Sequence, residues 1–218
     1  RLTKDIEYDM GKPASEYLVE YQGEGYTEIN RRNGELSGSW IKWHANGKKD
    51  EEGLYKYGKK GGAWTGWYKN GEKRYYGKYV DGKPDGQYTE LDNKGRLTNN
   101  IEYELGSIIS EYHILRDENG VTEYHKKNGV LAGKWTRWYS NGNKAEEGTY
   151  KNGVKEGPWV FYDPYGNKLD EGTYKDGCLD GQCVTYRSDG GRLEVTYKRN
   201  VREGRFLEFE KSLSLIHI

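Results

Sequence analysis

Residues 133–156 read GKWTRWYSNGNKAEEGTYKNGVKE, and residues 157–180 read GPWVFYDPYGNKLDEGTYKDGCLD. Both segments open on Gly-x-Trp, pass an aromatic pair and a turn ending in Gly, and close on Glu-Gly-Thr-Tyr-Lys with a second turn. Gly133, Gly157 and Gly181 lie 24 residues apart, and upstream Gly38, Gly62 and Gly86 keep the same step. A fixed period of this size marks a repeat architecture, in which each unit packs on its neighbours.

A longer repeat is laid over the short one. Ile6-Glu7-Tyr8 returns as Ile101-Glu102-Tyr103, Ser15-Glu16-Tyr17 as Ser110-Glu111-Tyr112, and Trp40 and Trp43 as Trp135 and Trp138, each displaced by 95 residues. An array of about four units, duplicated whole, accounts for this. The expected organisation is a first array over residues 1–100, a second packed continuously on it over 101–211, and a non-repeat tail over 212–218 that is either a terminal cap or foreign sequence.

The turns identify the fold. Asn46-Gly47, Asn70-Gly71 and Asn141-Gly142 alternate with Tyr57-Gly58, Asp81-Gly82, Asn152-Gly153 and Asp176-Gly177. Asn-Gly and Asp-Gly between aromatic and β-branched runs are the strongest short-range hairpin signal. Nothing recurs at a helical period, and Gly is spread through every unit. The prediction is an all-β chain: an elongated array of about nine β-hairpin repeats of ~24 residues in an antiparallel up-and-down meander, as one twisted sheet or a solenoid.

Turn position also sets register. With Asn46-Gly47 as a two-residue loop, Ala45 pairs with Lys48 and Trp40 falls opposite Gly53. The same count places Trp64 opposite Gly77, Trp135 opposite Gly148 and Trp159 opposite Gly172. A ring lying over its facing glycine would cover backbone that the glycine leaves bare. Where Tyr88 and Cys183 replace the Trp, the facing residues are Ile101 and Val195, so volume is balanced across the pair. Tyr55, Tyr79, Tyr150 and Tyr174 extend the same face. The other face carries Ile41 and Trp43, Thr65 and Trp67, Thr136 and Trp138, and Val160 and Tyr162.

Composition narrows the function. Hydrophobic residues are only 33% of the chain, but 21 Tyr and 7 Trp mark it as folded. Lys and Arg total 35 against 35 Asp and Glu, without the basic excess of a nucleic-acid binder or the polybasic cluster of an acidic-lipid binder. No apolar run approaches a transmembrane span. Cys178 and Cys183 are expected as free thiols, too few for a disulfide framework. The chain begins at Arg1, so a removed leader and a missing start are both open. The cytoplasm is preferred and export is not excluded.

The sentence Gly-x-Trp-x-x-Trp-Tyr-x-Asn-Gly-x-Lys…Glu-Gly-x-Tyr-x-x-Gly, clearest over Gly133 to Glu156, resembles the MORN-repeat family. It is most similar to the bacterial variant in YwqK-type antitoxin proteins. The resemblance spans nearly the whole chain and fades from Arg96 to Asn128, where the Trp positions are lost. It implies a hairpin array serving as a partner-binding module, including one that neutralises a toxin protein, and brings no catalytic residues.

The residues themselves point away from enzyme chemistry. His44, His113, His125 and His217 form no ligand spacing with the cysteines, and no phosphate loop or nucleophile elbow is present. Asp50-Glu51-Glu52 and Glu146-Glu147 recur at one repeat position, as a solvated strand would and a unique catalytic pair would not. No cofactor is expected. One row is a candidate binding surface: by the count above, His44 faces Lys49, Tyr68 faces Lys73 and Tyr139 faces Lys144. The first expectation is a non-enzymatic protein-interaction scaffold, with an unidentified protein, a toxin among the candidates, as its partner. The second is a carbohydrate or choline-type surface module using Trp and Tyr rows.

Overall fold

The computed structural model describes residues 4–210. The expected tail, 212–218, lies outside them. The protein is all-β, and every regular element among the described residues is a strand. Two compact units divide between Glu111 and Tyr112, inside β10 (Ser107–Asp117), whereas the sequence duplication steps at residues 100 and 101.

Unit 1 holds β1 (Lys4–Asp9), β2 (Lys12–Gln22), β3 (Gly25–Arg32), β4 (Glu35–Trp43), β5 (Lys49–Lys56), β6 (Lys59–Trp67), β7 (Lys73–Val80), β8 (Lys83–Leu91) and β9 (Leu97–Glu104). Each pairs antiparallel with its sequence neighbour. Unit 2 repeats the scheme with β11 (Gly120–Lys127), β12 (Val130–Tyr139), β13 (Lys144–Lys151), β14 (Val154–Tyr162), β15 (Lys168–Lys175), β16 (Cys178–Tyr186), β17 (Arg192–Lys198) and β18 (Val201–Phe209).

The two turn families differ, and this corrects the sequence reading. At Tyr57-Gly58, Asp81-Gly82, Asn152-Gly153 and Asp176-Gly177 both residues take positive φ, as the expected two-residue hairpin requires. At Asn46-Gly47 only Gly47 does, at φ +78. The His44 N–H donates to the Lys48 carbonyl, closing a three-residue loop, Ala45-Asn46-Gly47. Asn46 is there for its side chain. Its Oδ1 accepts from the Lys48 N–H at 3.1 Å, and its Nδ2 donates to the Lys69 carbonyl of the next turn at 2.7 Å. Asn70 and Asn141 make the same bonds, to Asn93 and Pro164. Successive turns on this rim are therefore laced together.

The longer loop would shift the pairing by one residue, but a bulge restores it. Lys42 faces Glu51 while Trp43 faces Lys49, which leaves Asp50 unpaired. The two departures cancel, so Trp40 faces Gly53, Trp64 faces Gly77, Trp135 faces Gly148 and Trp159 faces Gly172, as expected. Tyr88–Ile101 and Cys183–Val195 hold as well.

The ring contact is with a different glycine. Trp64 lies over Gly53 and Trp159 over Gly148, each on the preceding strand, not over the facing Gly77 or Gly172. The cause is a second bulge. Glu52 pairs with Thr65 and Leu54 with Gly61, so β6 carries two extra residues where β5 has only Gly53 between them. Gly62, at φ +67, makes that bend and swings Trp64 back across β5. The indole N–H then donates to the Leu54 carbonyl at 3.2 Å, and that of Trp159 to the Thr149 carbonyl at 3.2 Å. Trp64 and Trp159 are 1% and 0% exposed, because each ring is sunk into the groove a glycine leaves.

Candidate functional site

One face of each unit is an aromatic layer. Trp40, Tyr55, Trp64 and Tyr79 touch in sequence, with ring centroids 5.2–6.2 Å apart. Trp135, Tyr150, Trp159 and Tyr174 do the same at 5.2–6.3 Å. The expectation that the Trp and Tyr rows share a face is met. Around Trp64 and Trp159 this layer is already covered by the chain's own lysines. Lys60 Nζ sits 3.8 Å from the Trp64 ring centre and donates to Glu51 at 2.7 Å, and Glu51 also takes the Tyr75 hydroxyl. Lys155 Nζ lies 3.8 Å from the Trp159 ring, 4.7 Å from Phe161 and 5.4 Å from Tyr174. Burial pushes the Lys155 ammonium below its ordinary value and the Tyr75 and Tyr88 phenols above theirs.

The opposite face carries the aromatic–lysine row, displaced by one residue from its expected place. Lys49, Lys73 and Lys144 face Trp43, Trp67 and Trp138, not His44, Tyr68 and Tyr139. Lys49 Nζ lies 5.9 Å from the Trp43 ring and 5.8 Å from Trp67, slotted between successive hairpins, and is paired with Glu52. In unit 2 the set returns as Lys144–Glu147 at 2.8 Å and Lys168–Glu171 at 2.6 Å, with the Tyr162 and Tyr186 hydroxyls donating to Glu147 and Glu171. Arg192–Glu194 at 2.7 Å continues it beside Tyr186.

His44, Tyr68 and Tyr139 turn instead to the rim. His44 Nε2 lies 3.2 Å from the Trp67 carbonyl, while the Tyr68 and Tyr139 hydroxyls donate to the Leu91 and Tyr162 carbonyls at 2.8 Å. Each reaches the next hairpin, 23 residues on, and staples it. The bulge that leaves Asp50 unpaired is what separates these side chains from the lysines.

The ion pairs predict an acid-side dependence. Glu147 and Glu171 are held below the usual glutamate range, first by the hydrogen bonds from Lys144 and Lys168. A depressed folded value means stability that is complete above the unfolded pKa of about 4.3 and lost as pH falls through the lower folded value. These pairs are partly exposed, so the effect is small. Thermal scans from neutral to acid should show Glu147→Gln/Glu171→Gln melting a degree or two below the wild type at pH 7, with the gap closing below pH ~4. A gap that widens in acid would contradict this assignment.

Among the described residues no three His, Cys, Asp or Glu side chains are grouped to hold a metal ion, and no helix is long and apolar enough to cross a membrane. Cys178 and Cys183 are free thiols. The reading from sequence missed the lysine caps. Their signal was the spacing: Lys60 and Lys155 each stand four residues before a Trp, and nine after Glu51 and Glu146. No protein-family model matches the chain, and no curated protein sequence matches it.

Proposed function

We propose that the protein is a non-enzymatic scaffold that binds another protein. The observation that supports this is the repetition of one half-exposed set on one face within a unit: aromatic, cation and carboxylate at Trp138/Lys144/Glu147, Tyr162/Lys168/Glu171 and Tyr186/Arg192/Glu194. The charges are matched in place, and the row extends over successive hairpins, which suits a macromolecular surface more than a small substrate. The resemblance to antitoxin-type MORN repeats makes a toxin protein the first partner to try.

The test is to immobilise the full chain in extract of its source cells, identify what is retained, and rebuild the complex from purified components. A stoichiometric binary complex is expected, and co-expression with the product of a neighbouring reading frame should relieve any toxicity of that product. If no protein is retained under mild conditions, the scaffold reading falls. A sugar or choline site draws less support. The aromatic clusters suited to an ammonium group hold Lys60 and Lys155, and Tyr26 and Trp43 stack on each other at 5.7 Å and 18°.

A further inference from the structure

The set of aromatic, cation and carboxylate is complete in unit 2 and at Trp43/Lys49/Glu52, but it breaks in the middle of unit 1. In the next hairpin Trp67 faces Lys73, yet the residue three beyond the lysine is Tyr76, where Lys49, Lys144 and Lys168 have Glu52, Glu147 and Glu171. In the hairpin after that, Leu91 faces Leu97 and Asn100 takes the carboxylate position, so no charge is left. Lys73 is thus the one cation of this row without a carboxylate among the described residues. Its ammonium is exposed and lies 5.5 Å from the ring centre of Tyr76, which is itself 44% exposed.

The surrounding charges do not cancel it. Thr65, Tyr76, Thr89 and Asn100 face one another in sequence, so the middle row of this face over β6–β9 is neutral. Toward the far rim Lys59, Lys78 and Lys83 are balanced by Asp85, Glu102 and Glu104. Lys78, five residues along the same strand, is about 15 Å from Lys73, beyond the ~8 Å over which surface charges act in physiological salt. Glu52, two strands away, is held by Lys49. On the near rim Glu72 lies against Gly95 of the next turn, and Asp92 is paired with Arg96 at 2.7 Å. Lys48, Lys69 and Lys94 on the same turns add positive charge. Lys73 therefore stands in a cationic setting beside the half-buried Leu91 and Leu97.

We infer that Lys73, Tyr76 and Leu91 are the anchor point of the scaffold, where a partner protein sets a carboxylate on the Lys73 ammonium and an apolar side chain on Tyr76 and Leu91. The partner's carboxylate supplies the part that this set lacks. Apolar groups around the pair exclude water and strengthen the charge-assisted bond. The complete sets have made that bond internally and offer a partner only a neutral surface. A few anchoring groups surrounded by near-neutral contacts is the usual distribution of energy in a protein interface. This inference rests on the scaffold reading and specifies where its partner is held.

The probe is the blocked tripeptide acetyl-Phe-Glu-Leu-amide, titrated into the isotopically labelled full chain and followed by NMR, with the Phe-Gln-Leu peptide as its uncharged counterpart. Saturable shifts should centre on Lys73, Tyr76 and Leu91, and the Gln peptide should bind about tenfold more weakly. Tyr76→Glu gives unit 1 the residue that unit 2 has at this position, so the fold should persist while the ammonium gains a carboxylate of its own. Tyr76→Glu and Lys73→Gln should each weaken the Glu peptide about tenfold, and Glu171→Tyr should open a second site at Lys168. The inference is overturned by absence of saturable shifts, by shifts centred elsewhere, or by equal binding of the two peptides. Undiminished binding by Tyr76→Glu and Lys73→Gln, or no second site in Glu171→Tyr, overturns it as well. A partner protein that the wild type captures and Tyr76→Glu holds as tightly would remove this anchor and leave the scaffold reading intact. A wild-type chain that captures no protein would remove both.

Discussion

Gly148→Ala should destabilise the β13–β14 hairpin by about 3 kcal/mol or more, the upper end of overpacking costs. Strand propensity alone predicts the opposite sign, since Ala in a strand interior is favoured over Gly by roughly 0.5–1 kcal/mol. Gly148 does not require positive φ, so the backbone would accept Ala. The ring decides the matter. A Cβ on Gly148 would lie inside the van der Waals surface of the Trp159 indole, and that indole is fully buried and fixed by its bond to the Thr149 carbonyl. Gly172→Ala is the control. A Cβ there meets Leu179 Cδ2 at 3.0 Å and Cys183 Sγ at 3.4 Å, flexible groups that can give way, so its effect should stay within about 1 kcal/mol. Because repeat arrays respond mainly through nearest neighbours, amide exchange in β13 and β14 is the direct readout beside a denaturant melt. Gly148→Ala/Trp159→Leu should protect those amides better than Gly148→Ala combined with an intact Trp159. If the two variants exchange alike, the clash is not the cause.

How much of this was legible depended on the range of each interaction. The Trp40–Gly53 register was readable because the extra loop residue and the unpaired Asp50 cancel, leaving the count right although the turn type was not. The turn type itself was hidden. Asn46-Gly47 and Asn152-Gly153 are the same dipeptide, and what distinguishes them is a bond from Asn46 to Lys69, on another hairpin. The candidate row failed by one residue for the same reason, since one bulge is enough to exchange His44 for Trp43 beside Lys49. The lean of the rings was hidden too, because it follows from the bulge at Gly62 and not from pairing. Covariation inside the chain did carry a clue. Lys60 precedes Trp64, whose ring lies over Gly53, whereas Leu36 precedes Trp40, which faces Ile29 on the strand before it, and Leu131 precedes Trp135, which faces Tyr124. A ring that sinks onto bare backbone takes an ammonium above it, and a ring held off by a side chain stands beside leucine in the sequence.

That distinction separates two tryptophans that the sequence makes equivalent. Trp159→Ala should cost about 3–5 kcal/mol, the range for a buried aromatic, and Trp135→Ala clearly less. Trp159 is 0% exposed, lies on Gly148 and supports Lys155, so its removal strips the glycine backbone and the lysine platform together. Trp135 is half-buried and stacks on Tyr124 at 5.6 Å, a ring that keeps part of its contact with β11 whatever stands opposite. The indole nitrogens separate them further. Trp159 Nε1 donates to Thr149, whereas Trp135 Nε1 is buried without an acceptor. Trp159→Phe therefore loses a hydrogen bond worth about 1 kcal/mol, while Trp135→Phe removes a donor that was already unsatisfied and should be near neutral or stabilising. Four denaturant melts, two positions by two replacements, test the pattern. Equal losses at the two positions would mean that the rings are held by area alone and that the glycine groove contributes nothing.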